Sequence, residues 1–340
     1  MVAEAKAGAP LEERGPPPAI PLLARDDWRL SELAFWLAPV ACGLLLKGYL
    51  VLASRIFVTG LFAVSLDLIL GYAGILSLGH AAFFGLGAYT AGLLALHGFG
   101  EPLAGLLAAG AVAAAAGFLV SFLVVRGNDL SRLMVTLGVG LLFHEAANKA
   151  SSLTHGADGL SDFHVQRLFG LFEFDLYGRT AFWYSLAVLF LCFAGARRLV
   201  ASPFGLSLRG IRERPGRMAA LGTPVHRRLV AVFTLAAGLA GIAGALLAET
   251  TQFVGLDVLG FSRSADLIIM VVLGGVGRLY GALVGAALFM VAQDRLADLN
   301  PVYWQFWIGL ILVTTVLFAR GGVLGGLARV QRALARRPPP

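Results

Sequence analysis

The sequence predicts an all-α polytopic membrane protein with about ten transmembrane helices (8–10) and both termini in the cytosol. Three observations lead there. The chain of 340 residues is 58% hydrophobic and only 14% charged, with a mean hydropathy of +0.80, whereas soluble domains carry about 25% charged residues. Apolar runs of near-spanning length recur along it, at about 33–52, 56–71, 80–96, 103–125, 133–147, 181–199, 229–248, 264–277, 280–293 and 302–319. Arginines are clustered on two stretches separated by an even number of those runs. No separate soluble domain is expected, since no polar segment is long enough to fold alone.

Residues 1–31 form a polar, proline-bearing tail (GAPLEERGPPPAIP) without the apolar stretch of a secretory signal. It reads as a disordered cytosolic arm, followed by a membrane domain over 32–325 and a basic tail over 326–340. Cys42 and Cys192 both lie in apolar runs and read as packing residues rather than a disulfide. The net charge of +7 is not joined to the interleaved basic and aromatic residues of a nucleic-acid surface, so no nucleic-acid partner is expected.

Gly71–Gly92, GYAGILSLGHAAFFGLGAYTAG, places six glycines, five alanines and one histidine in an otherwise apolar region. Interior glycines cost a soluble helix roughly 0.5–1 kcal/mol each. In a membrane, small residues let helices approach closely. Gly85, Ala88 and Gly92 fall at i, i+3 and i+7 and make one small ridge. Gly71, Gly74 and Gly79, with Ser77 and His80 between and beside them, break the run. Such a break is tolerated where backbone is buried in protein or lines a cavity, so the segment reads as a kinked element beside a transport pathway or as a tight packing hairpin. Asp67, in VSLDLILG, is an intramembrane carboxylate; it lines the pathway or takes part in a structural hydrogen bond. Glu249 and Asp266 lie near span ends, where they can reach water.

Charge gives the topology. Arg197, Arg198, Arg209, Arg212, Arg214, Arg217, Arg227 and Arg228 crowd one connector, and Arg320, Arg329, Arg332, Arg336 and Arg337 crowd the C-terminus. The positive-inside rule sends both to the cytosol. The outside then receives Ser151–Gly178, Thr250–Ser262 and Asp294–Pro301. Within the connector, about 200–228, Pro215 can open a helix, Met218, Ala219 and Leu221 form a short apolar face, and Gly222 suits the left-handed position past a helix end. The reading is a short helix or bent pair along the cytosolic surface. It docks in a groove of another protein, or its arginines bind the headgroups of membrane lipids. Farther on, Gly281 and Gly285 form a close-packing GxxxG pair, and Gly238, Gly241 and Gly244 a second small face.

Chemistry is absent from the pattern. There is no phosphate-binding G-x-x-x-x-G-K-[ST], no G-x-S-x-G, no H-E-x-x-H and no C-x-x-C. His144-Glu145 lacks a second histidine one turn later, so it reads as a packed or water-facing pair. No metal and no catalytic residue are expected.

GYAGILSLGHAAFFGLGAYTAG, VTLGVGLLFHE, LTHGADGLSD, IIMVVLGGVGRLYGALVGAALF and LFARGGVLGGL, in that order from Val51 to Leu327, resemble successive blocks of the branched-chain amino acid (Liv-type) ABC transporter permease family. Ala219, Ala220 and Gly222 resemble the ATPase-docking loop of importer permeases in compressed form. Pro215-Gly216 and Ile75 depart from the family's usual residues. The resemblance implies an ABC importer permease fold in a bacterial inner membrane. It implies two ATPase subunits that carry the ATP and Mg, none being bound by this chain. A second, homologous permease subunit and a periplasmic solute-binding protein complete the set. It further implies ATPase coupling through Arg209, Ile211, Arg212, Met218, Ala219, Ala220, Leu221 and Gly222, and a gate around Asp67 and Gly71–His80. Branched-chain amino acids, or related small solutes, are the implied cargo. The alternative from the residues alone is an ion-coupled secondary transporter, with Asp67 or His80 as the coupling group.

Overall fold

A computed structural model describes residues 30–318 except 46, 162, 168–177 and 302, together with 322, 323, 325 and 326. Of the two tails read from the sequence, 1–31 and 326–340, all but residues 30, 31 and 326 lie outside the described residues.

Every expected apolar run is a helix: α1 (Leu30–Leu45), α2 (Leu50–Asp67), α3 (Ala81–Leu96), α4 (Pro102–Val124), α5 (Asp129–Lys149), α7 (Arg179–Ala201), α10 (Val225–Thr251), α11 (Phe261–Gly274), α12 (Leu279–Leu299) and α13 (Trp304–Phe318). Single turns or short helices fill the connections: α6 (Ser151–Thr154), α8 (Pro203–Glu213) and α9 (Pro215–Ala220). Among the described residues six stretches are long and apolar enough to span: Leu50–Tyr72, α4, α5, α7, α10 and α12. At ~1.5 Å per residue each clears or matches a hydrocarbon layer of roughly 30 Å. The apolar helices α3 and α11 are shorter, and both meet a glycine break at one end. This makes the chain a multi-pass membrane protein.

Local chemistry sets the helix ends. Pro102, Pro203 and Pro215 open α4, α8 and α9 at the first turn, where a missing N–H costs nothing. The Asn128 side chain caps α5, accepting from Ser131 N at 2.8 Å. Gly222, at φ +81°, closes α9.

α10 is the central helix, wedged between α3 and α4 with α2 alongside. Its small face makes that possible. A Cβ at Gly241 would lie 2.7 Å from the Ala109 carbonyl of α4, and one at Gly244 would meet the backbone of Phe84 and Ala88 in α3. Gly85 faces Leu259, and Gly92 faces Leu160 and Val254. Gly281 and Gly285 seat α12 against Gly274 at the end of α11. α1 is pinned to α7 and α12 by edge-on rings, Trp36 on Phe190 and Phe193 and Phe35 on Tyr280, and by Glu32–Arg197 at 2.7 Å.

The bundle has two unlike ends. At one, the loop end, the segment after α5 folds back over the helices. Leu160 bridges Val254 in antiparallel fashion, and Gln166 N donates to Gly100 O. At the other, the connector end, α8 packs against α7, α10 and the turn that follows α2, and α9 against α8 and α10. Glu249, expected to reach water, is instead 4% exposed, because α10 runs on past it to Thr251 and Tyr184 Oη donates to its carboxylate at 2.7 Å. Asp266 is half-buried.

Candidate functional site: the glycine break and the connector

The last turn of α2 does not end as an α-helix. It widens into a π turn, Leu68–Tyr72, and the chain then leaves helical geometry until Ala81. Gly74 takes φ +74° at the exit, and Ile75 N turns back to Ile69 O at 2.9 Å. Non-helical backbone at this depth needs partners from its own protein, and side chains from distant helices supply them. Leu78 N donates to Thr136 Oγ1 of α5 at 3.1 Å, and Ala81 N donates to Ser264 Oγ of α11 at 3.0 Å.

Asp67 is fully buried at the start of the break. Its Oδ1 accepts from Gly277 N at 2.7 Å, which ties the end of α2 to the loop joining α11 and α12. That loop turns on Gly275 (φ +114°) and Gly277 (φ +80°), backbone that a side chain disfavours. The two loops touch: a Cβ on Gly71 would lie 2.6 Å from Gly277 Cα and would strike the Asp67 carboxylate.

From the connector end, Arg212 of α8 reaches into this junction. Its Nη1 donates to the Gly71 carbonyl, and its charge lies near Asp67. Gly74 and Gly277 wall its path: a Cβ on Gly74 would be 3.0 Å from Arg212 Cγ, and one on Gly277 would be 3.2 Å from Nη1. Three glycines thus form a slot for one guanidinium, with a carboxylate at its end. One turn back on α8, Arg209 sits over the Tyr72 ring at 5.2 Å, and Ile211 is buried.

The connector residues therefore divide. Arg209, Ile211 and Arg212, grouped in the sequence with the ATPase-facing residues, each also touch their own membrane domain: Ile211 is buried, and the two arginines, exposed overall, reach the Tyr72 ring and the Gly71 carbonyl. Ala219, Ala220, Leu221 and Gly222 are exposed, and Met218 is half-buried against Gly210.

The remaining break residues are enclosed. Ser65 Oγ donates to Phe62 O at 2.6 Å, which uses its proton, so the 2.9 Å contact with His80 has Nε2 as donor. The ring lies parallel to Phe62, centroids 5.7 Å apart, and edge-on to Phe83. Ser77 is also buried, and its hydroxyl has no partner among the described residues. Gly79 presses on α5 beside Gly140. Next to it a cavity of about 100 Å³ is lined by Leu78, Gly79, Gly140, His144 and Ser264. Glu145 is not part of its lining and pairs with Lys149 at 3.4 Å.

Sequence reading missed the supports: Ser65, Thr136, Ser264 and the Gly275–Gly277 turn. Each hydroxyl lies in an apolar run, the one signal available, but which run meets which is decided by packing. Among the described residues no cluster of three metal-binding side chains occurs.

Residues 48–316 match the family described as the branched-chain amino acid transport system, permease component. Curated relatives agree. The high-affinity branched-chain amino acid transport system permease protein LivM of Escherichia coli (strain K12) is 29% identical over 82% of this chain and 70% of its own length. LivM of Salmonella typhimurium is 30% identical over the same shares. An autoinducer 2 import system permease protein, LsrC of Klebsiella pneumoniae, is 32% identical over 43% of this chain and 44% of its own. No solved structure matches. With the match running from α2 into α13, nine of the ten apolar helices, and across both glycine breaks, the chain belongs to the family of branched-chain amino acid transport permease components, membrane subunits that are not enzymes.

Proposed function

We propose that this chain is the transmembrane permease subunit of an ABC importer in a bacterial inner membrane. It takes up branched-chain or other hydrophobic amino acids, or related small solutes, handed over by a periplasmic binding protein. The observation that carries the reading is the junction of the connector with the glycine break. Arg212 gives α8 a direct hold on the backbone where α2 ends. An ATPase seated on the exposed α9 turn would move α8, and α8 would move the Gly71–His80 break and the Gly275–Gly277 turn together. An ion-coupled carrier has no use for such an arrangement.

The arginines of the connector and the C-terminus support a cytosolic connector end. A second permease subunit is proposed on α5. This helix spans, yet only Thr136 and Gly140 are buried, while His144, Glu145 and Asn148 ride on it. Polar groups at membrane depth face a partner or a water-filled cavity rather than lipid. The 100 Å³ cavity beside Gly79 opens the break toward that same helix, which favours a solute route along α5.

The docking surface is tested by Ala219→Glu and Gly222→Val. The first puts bulk and charge where a methyl group lies; the second puts a β-branched residue at φ +81°. Both proteins should insert normally, since insertion reads the apolar runs. ATPase recovered by pull-down and uptake in the same cells should each fall roughly tenfold or more, the loss of ~1.4 kcal/mol or more at an interface. Normal uptake in both, with no ATPase recovered from the wild type, would favour the ion-coupled carrier.

Topology and pairing share one experiment. In a protein with Cys42 and Cys192 replaced by serine, cysteines are placed at exposed Leu153, Leu221 or Leu142. An impermeant thiol reagent on intact cells should label position 153 and spare 221. Position 142 should cross-link to a second permease chain. Equal labelling at 153 and 221, or no cross-link at 142, refutes the respective assignment.

A further inference from the structure

A second cavity, of about 520 Å³, is an apolar groove between α4 and α7 with α10 as its floor. α10 packs closely along α4 and meets α7 at the Tyr184–Glu249 contact, whereas α4 and α7 scarcely touch. Small residues keep the groove open. Counted in equal steps from Tyr184 opposite Glu249 along the two antiparallel helices, Gly195 falls opposite Gly238 and Leu199 opposite Thr234. Gly195 is exposed, and nothing lies within 4 Å of a Cβ placed on it. Gly110 of α4 abuts Ile242, so Leu107, one turn further, marks the far end. From the level of Thr234 to that end is roughly 17 Å, at ~1.5 Å per residue.

The wall selects hydrocarbon. α4, α7 and α10 are all long and apolar enough to span, so the groove lies at membrane depth. It carries no charged side chain, and its one hydroxyl, Thr234 Oγ1, is spent on Val230 O of its own helix at 2.9 Å. The shape selects further. A volume of about 520 Å³ over that length leaves a mean section of about 30 Å², whereas a helix ~10 Å across fills about 80 Å². The groove is too narrow to seat a partner helix and suits a single extended hydrocarbon chain. Its connector-end mouth is basic. Gly195 and Arg198 lie three residues apart on the exposed face of α7. The Arg228 guanidinium lies over the Phe204 ring at 5.1 Å, which sets it where α10 passes the α7–α8 corner, and Arg227 beside it is exposed. The one carboxylate on α4, α7 and α10 is Glu249, buried at the opposite end. Among the described residues Arg198, Arg227 and Arg228 have no acidic partner; Glu32 is taken by Arg197.

We propose that this groove is a binding site for one anionic phospholipid, with an acyl chain between α4 and α7 and the phosphate on Arg198, Arg227 and Arg228. A guanidinium holds phosphate through two parallel hydrogen bonds, and arginines at the membrane surface draw anionic headgroups. The chain fills the gap that α4 and α7 leave over α10. The headgroup ties the α7–α8 corner to the start of α10. None of the glycine-break residues lines the groove, and the site does not depend on the importer reading, which is judged by ATPase recovery and not by this measurement.

The test titrates the purified, delipidated permease complex with dioleoylphosphatidylglycerol or with dioleoylphosphatidylcholine, which has the same chains and no net charge, and counts retained lipid by native mass spectrometry. One phosphatidylglycerol per copy of this chain should be held in preference to phosphatidylcholine. Gly195→Phe and Ala111→Phe, each entering the groove from an exposed lining position on a different helix, should lower its retention roughly tenfold or more by displacing several methylenes. Arg198→Gln and Arg228→Gln should leave the chain bound but reduce the preference for phosphatidylglycerol roughly fivefold each, and Arg228→Lys should preserve it. These arginine variants leave the packed helices alone, so they decide the matter even if a Phe variant fails to assemble. Equal retention of the two lipids by the wild type overturns the proposal. So does phosphatidylglycerol retention unchanged in both Phe variants, or a preference unchanged in both Gln variants. With Cys42 and Cys192 replaced by serine, a cysteine at position 195 should cross-link to no other chain; a cross-link would make the groove a subunit interface and would overturn the lipid assignment.

Discussion

Arg212→Ala should leave the ATPase bound to the permease and leave ATP hydrolysis running, while uptake falls roughly tenfold or more. The exposed turn of α9 is untouched by the change, so docking survives. The contact to the Gly71 carbonyl is lost, and Asp67 is left with a backbone N–H in place of a nearby charge. A hydrogen bond from a charged group contributes roughly 1.5–3 kcal/mol, and its loss here falls on the link between two moving parts. Arg212→Lys should recover only part of the uptake, because a point charge on a flexible stem does not fill a slot shaped for a planar fork. The measurement is the ratio of solute moved to ATP hydrolysed in reconstituted vesicles. A wild-type ratio in Arg212→Ala would remove Arg212 from coupling.

Gly71→Val should cost both stability and transport. Its side chain would have to occupy the space of the Asp67 carboxylate and of Gly277 backbone, and backbone cannot swing aside as a flexible side chain can. Overpacking of this kind typically costs 1–3 kcal/mol, sometimes more, and here it also parts the junction that receives Arg212. Gly71→Ala should show the same defects more mildly. Gly216→Ala serves as the contrast, since nothing lies within 4 Å of a Cβ there. The readouts are the unfolding temperature of the purified complex and uptake in cells. If Gly71→Val matches Gly216→Ala in both, the two loops are not held in register at this point.

Some of this was legible in the residues and some was not, for a physical reason. Apolar runs report burial in lipid directly, so ten runs became ten helices. Pro215 and Gly222 report local backbone demands, and they bound α9 as proline and glycine chemistry requires. The break itself was visible because glycine and histidine are costly inside an apolar span. Its partners were not. Asp67 meets Gly277 across 210 residues, Arg212 meets Gly71 across 141, and Ala81 meets Ser264 across 183. No spacing along the chain encodes these pairs; they follow from which helices stack, and that is settled by small-residue faces such as Gly238–Gly244. Glu249 shows the same limit from the other side. Its place near a span end suggested water, but α10 runs on past it to Thr251 and the Tyr184 hydroxyl donates to its carboxylate.

The π turn at Leu68–Tyr72 has a mechanical corollary. A π turn packs one residue more than an α turn into each hydrogen-bonded ring. It is a stored unit of slack at the end of an otherwise regular rod. Were it to tighten into α geometry, the spare residue would pass into the non-helical segment, and every group beyond it would be turned by ~100° about the α2 axis. The Gly71 carbonyl would then swing away from Arg212, and Gly74 to His80 would gain length without any rigid helix being stretched. A rotation stepped by one residue, rather than a bend, is the motion this ratchet-like joint permits.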